Sequence, residues 1–206
     1  MFALVDKSDN SITKMLNGNK GITIGDNQYP RAIFSLWSEA ERNAINIYTV
    51  TIDESKRKDE QWYINTNMTY AFDGTNATGS YGDATAKAHA DTTWTAQDET
   101  DGKGTEGEVA TRGLKYNLIQ TVKLQAEGEL NRTDWYITRK AEKNTAIPSA
   151  ITTHRDAVRS KQAAMETAIT NASDTPALET LYTYVNTADE GDPEVIERPL
   201  GELPTL

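Results

Sequence analysis

Leu130-Asn131-Arg132-Thr133-Asp134-Trp135-Tyr136 is the stretch on which the reading of the fold turns. Upstream of it, Leu114, Leu118, Val122, Ala126 and Leu130 recur every four residues, which lines one face of a helix. Downstream, Pro148 suits the first position of a helix, where its missing N–H would lack a partner anyway. Behind it Ile151, Val158 and Met165 fall at seven-residue intervals, with Arg155, Gln162 and Ile169 between them. That is a partly polar seam, long enough for a helical hairpin. The quoted stretch is therefore expected to turn the chain between two helices. Thr133 or Asp134 can bond free backbone groups at such a change of direction. Trp135 is expected to bury its ring and lock the Leu114 helix against the Ile151 helix. Arg155 or Arg159 is placed to reach Asp134 across the hairpin. Thr175-Pro176 starts a third helix, with Leu178, Leu181, Tyr182 and Val185 as its apolar stripe and Asn186 at its end.

Working outward towards the N-terminus, residues 1–81 read as a β-rich α/β domain. Phe2–Val5 and Ile12–Leu16 look like strands, and Asn17-Gly18 is a hairpin signal from which Gly21–Ile24 would return. Ser38 with Glu41 fits a capping box opening a short helix to Ile45. Ile47–Ile52 alternates with period two, as a half-buried strand does. Gln61–Ile64 and Met68–Phe72 are further strands, and Asp73-Gly74 is a turn.

Residues 82–110 have the composition of an acidic Gly/Thr-rich linker, with Trp94 as the single large apolar side chain. Residues 111–186 form the helical domain. Residues 187–206 combine Pro193, Pro199 and Pro204 with six acids, yet Val195, Ile196, Leu200, Leu203 and Leu206 recur through them. That pattern reads as an extended acidic arm, ordered by contact with another chain. The whole is an α+β protein: a small β-rich domain, a helical hairpin or bundle, and an extended arm.

The formal net charge of the 206-residue chain is −10. Residues 91–108 and 187–206 each set six acids against one base, and together they carry the whole excess. No basic stripe exists to neutralise phosphates, so nucleic acid and anionic membrane surfaces are not expected partners. No apolar run approaches the roughly 18 residues of a membrane helix. Met1–Val5 is too short for a secretory core, so synthesis in a cytoplasm is the expectation. Cysteine is absent, which removes disulfides and thiolate metal sites.

Chemistry finds little to use. His89 and His154 each have a carboxylate two residues on, but no second ligand nearby, so no metal and no cofactor is expected. A hydrolase built on either histidine is the alternative from a different class, though no Gly-x-Ser-x-Gly elbow supports it. Gly102-Lys103-Gly104-Thr105-Glu106-Gly107 matches a dinucleotide-loop pattern, but polar and acidic residues precede it where a buried strand is required. Asp98–Glu108 lacks the ligand spacing of a calcium loop. No catalytic residue is assigned.

The order of Leu130–Tyr136, then Ala146-Ile147-Pro148, then His154-Arg155-Asp156-Ala157-Val158-Arg159 resembles the C-terminal module of bacteriophage tail assembly chaperones and tail-fibre-associated proteins. There a helix ends in a Leu-x-x-[Ser/Thr]-Asp-Trp turn, and a later helix carries a Tyr-Arg-x-x-Leu-Arg pattern. Thr133-Asp134-Trp135 matches the turn, and Arg155 and Arg159 match the arginines. His154 and Val158 stand where the family has an aromatic and a leucine. Tyr29-Pro30 to Ile52, with Trp37 and Ile47-Tyr48, is similar to the opening domain of phage tail-associated proteins. The resemblance implies a non-enzymatic virion structural protein at the tail or tail fibre, made in the host cytoplasm. Its partners would be other tail or fibre proteins, in a homo-oligomer or a hetero-assembly. A fibre assembly chaperone that leaves the mature particle is the alternative. The candidate partner-binding residues are Trp135, Arg155, Arg159, Val195, Ile196, Leu200 and Leu203.

Overall fold

A computed structural model describes residues 1–206, which fold as two compact units, Met1–Thr85 and Ala86–Leu206. With 36% helix and 22% strand, and most of the strand content in the first unit, the protein is α+β with a β-rich N-terminal part.

In the first unit β1 (Phe2–Asp6) and β2 (Ser11–Leu16) form an antiparallel hairpin. β3 (Ile22–Ile24) and β4 (Asn27–Tyr29) form a second, separate one. This corrects the pairing expected at Asn17-Gly18, because β3 does not return onto β2. The two-residue turn sits instead at Gly25-Asp26, between the paired residues Ile24 and Asn27. Gly25 has a φ of 58° and Asp26 is not in that region, the type II′ pattern that matches strand twist. Gly18 is left-handed too, at 71°, and a β-carbon there would press on Phe2 and Phe34.

Helices α1 (Ile33–Leu36) and α2 (Glu39–Ala44) follow. The capping box at α2 forms as the sequence predicts: Ser38 Oγ accepts from Glu41 N, and Glu41 accepts from Ser38 N at 2.7 Å. The chain continues through β5 (Ile47–Asp53), β6 (Tyr63–Ile64), β7 (Thr69–Phe72), β8 (Ala77–Ser80) and, at the unit boundary, β9 (Thr85–Ala86). The main sheet has the order β2-β1-β5-β8-β7, with β5 and β8 parallel and its other pairs antiparallel. It curls almost into a barrel. Alternation decides what fills it: Ala3, Val5, Tyr48, Val50, Phe72 and Ala77 point inward and are buried together.

The second unit begins with β10 (Thr92–Thr93), α3 (Ala96–Thr100) and β11 (Val109–Thr111). Residues 82–110 are thus corrected from a linker to a largely folded segment. β10 pairs with β11, and α3 carries a capping box of Thr95 and Asp98. Then come α4 (Leu114–Asn131), α5 (Asp134–Lys143), α6 (Ser149–Asn171) and α7 (Thr175–Tyr182). α4 and α6 run antiparallel: Lys115 Nζ donates to Thr170 O at 2.8 Å at one end, and Arg155 meets Leu130 at the other. The expected seam is the core, since Val122, Ala126, Ile151, Val158, Met165 and Ile169 are buried. Each large member contributes about 1.5–3 kcal/mol of burial.

The domain boundary at 186/187 does not hold. β12 (Val185–Asn186) pairs with β13 (Ile196–Glu197) across it, so the arm is a hairpin and not an extended strap. Leu200 then tucks in at 3% exposure, and its N–H bonds Leu181 O at 3.0 Å. The arm is ordered by its own helical unit.

Candidate contact site

The Leu130–Tyr136 stretch is not a simple turn. α4 ends at Asn131, and a new helix opens at Asp134. The last carbonyls of a helix have no partner within it, and something else must answer them. Here Arg155 does. Its terminal nitrogen donates to Leu130 O at 2.8 Å, Thr133 Oγ1 at 2.7 Å and Asp134 Oδ1 at 2.8 Å. Thr133 Oγ1 also donates to Leu130 O at 2.9 Å. Thr133 is fully buried and Arg155 nearly so. A cation at the C-terminal end of α4 also complements that helix's dipole.

Two expectations change accordingly. Trp135 is not the rivet: it is 52% exposed, on the outer side of α5. Arg155 is not available to a partner, because burial commits it to the joint. Arg159 is exposed and meets only Asp156, at 3.4 Å. A small buried threonine and a long cation fill the joint, which leaves no room there for an indole.

The joint aims α5 outward, and α5 buries no residue. Trp135 and Tyr136 lie ring on ring at 3.8 Å, and the Arg139 guanidinium covers both at 4.7 and 5.2 Å. Residues three and four apart share a helix face, so Tyr136, Arg139, Lys140 and Lys143 form one stripe. Arg139 Nε is shielded from solvent and has no acceptor. Ile137 is also exposed.

The other predicted residues divide. Val195 and Ile196 are exposed on β13 and just before it, whereas Leu200 is buried and Leu203 is half-buried. Arg198 lies over Tyr182 and Tyr184 and pairs with Glu202 at 2.7 Å, which pins the arm.

The glycine-rich loop has a structural explanation. Gly102 and Gly107 are left-handed at 72° and 83°, and a β-carbon at Gly104 would overlap the Trp94 indole. Lys103 pairs with Asp98 at 2.9 Å and Asp101 at 3.1 Å. The Thr95 hydroxyl, Lys103 and the Thr95 amide hold the Asp98 carboxyl down to about 2 from 3.8. The amino group of Lys103 is thus engaged by acids of its own loop. His89 gives its carbonyl to Lys115 N at 2.9 Å, part of the cap of α4. Asp91 completes that cap by accepting from Gly113 N at 2.8 Å, and Gly113 N followed by Arg112 lowers its carboxyl below the usual range. His154 Nε2 is shielded and unpartnered. No group of three His, Asp or Glu side chains is arranged to hold a metal ion.

The first unit carries an open cleft of about 730 Å³ beside β2, lined by Met15, Leu16, Ile22, Phe34 and Tyr70 with Lys14 and Lys20. Nothing in the sequence marked it, because its walls come from four separate elements. No helix is long and apolar enough to cross a membrane. No protein-family model, curated protein or solved structure matches the chain.

Proposed function

We propose that this chain is a bacteriophage tail or tail-fibre protein that works by contact and catalyses no reaction. One observation carries the reading. The residues of the resemblance, Thr133, Asp134 and Arg155, meet in a single buried joint, and that joint presents the Trp135–Tyr136–Arg139 stack to the outside. Exposed aromatic and arginine side chains are the residue types that dominate contact energies between proteins. The partner is another tail or fibre component.

The assembly-chaperone reading has its own support: α5 exposes Trp135 and Ile137 on a helix with no buried residue, which suits reversible capture of a folding client. Mass spectrometry of purified particles from the genome encoding the chain separates the two. A stoichiometric amount in mature particles supports the virion reading. Abundance in the producing cell with none in the particle sinks it and favours the chaperone.

A further inference from the structure

Two exposed surfaces of the helical unit are chemical opposites. On α5, Trp135 and Ile137 are 52% and 41% exposed beside Arg139, Lys140 and Lys143, and none of these three cations has a carboxylate partner in the chain. Of the acids on α5, Asp134 is committed to Arg155, which leaves Glu142 alone among them. On the C-terminal hairpin, Val185, Val195 and Ile196 are 46%, 45% and 55% exposed. The loop between its strands carries Asp189, Glu190, Asp192 and Glu194, and none of these has a cation partner.

From this pairing we infer that α5 of one copy docks on the β12–β13 hairpin of a second copy. The inference rests on the reading of α5 as a contact surface and names its partner. Two features argue for a second copy. The three cations left unpaired on α5 are complementary in sign to the four unpaired acids of the hairpin loop. Each side offers apolar area next to its charge, so that the contact would exclude water around the ion pairs, where they gain strength. Two copies can exchange the contact reciprocally, or successive copies can pass it on head to tail.

The test is sedimentation velocity of the full chain over a concentration series, at low and at high salt. The wild-type chain self-associates at low salt and less so at high salt, since exposed charges are screened. Lys140→Glu with Lys143→Glu weakens association at least about ten-fold, as does Asp189→Lys with Glu190→Lys. Joining both pairs in one chain restores it, because the reversed charges meet again. These positions are exposed, and circular dichroism unchanged from wild type checks that each variant folds. A wild-type chain that stays monomeric at every concentration overturns the inference, and so does a four-fold variant no better than its parents. Either failure leaves the particle test untouched, since that reads presence in the particle and not association of the purified chain.

Discussion

One nitrogen of Arg155 answers three oxygens at a single helix end, and the consequences fall on each of them. Removing the side chain leaves Thr133 Oγ1 buried without its donor and Leu130 O without its cation. An unsatisfied buried group costs more than a lost bond contributes, and bonds to a charged group are the stronger kind. Arg155→Ala is expected to destabilise the helical unit by about 2–3 kcal/mol in denaturant unfolding, a figure tempered by the half-exposed Asp134. Arg155→Lys recovers little, because the lysine side chain is shorter than arginine and its ammonium, more strongly hydrated than a guanidinium, costs more to bury in this joint. Arg159→Ala is the control. Its pair with Asp156 is exposed, and the change should stay within about 0.5 kcal/mol.

At the scale of elements, the strands and the two long helices are legible because periodicity is a property of many residues at once. Ala3, Val5, Tyr48 and Val50 alternate, and Val122, Ala126, Val158 and Met165 step by helical intervals. α5 is not legible, for the opposite reason. Thr133, Asp134, Trp135, Tyr136, Ile137 and Thr138 are all modest helix formers, and the apolar ones face solvent, so no buried stripe announces the helix. Its signals were the Asp at its first turn and the lysines in its last. The pairing of β3 is not legible because Asn17-Gly18 carries a hairpin signal while the two-residue turn forms at Gly25-Asp26. Short elements such as α3 depend on single side chains, and that makes them sensitive to acid. The Asp98 carboxyl has a folded value near 2, below its ordinary 3.8. A depressed carboxylate contributes stability above the ordinary value and loses it as pH falls through the folded one. The 95–108 loop should therefore loosen between about pH 4 and 2, read as a change in Trp94 emission. In Asp98→Asn that acid-dependent step should be gone, and its persistence would assign the change to another group.

Across the whole molecule, the C-terminal residues belong to the helical unit and not to a free strap. Proline and acid content argued for an extended arm, but composition does not reveal that Leu200 has a place in the core while Val195 and Ile196 do not. Leu200→Ala should lower the stability of the helical unit by ~2–4 kcal/mol in thermal or denaturant unfolding. Deleting residues 189–206 should do at least as much harm, so loss of assembly after that deletion reports unfolding as well as contact. Substitutions on exposed residues avoid that ambiguity.

The claim that this chain works through α5 is tested most directly by particle incorporation of a folded variant. Trp135→Ala with Arg139→Glu changes only exposed or half-exposed side chains, and its thermal midpoint should match the wild type. Quantitative mass spectrometry should find the wild-type chain in purified particles and the variant depleted at least about ten-fold. Equal incorporation of the variant would contradict the claim.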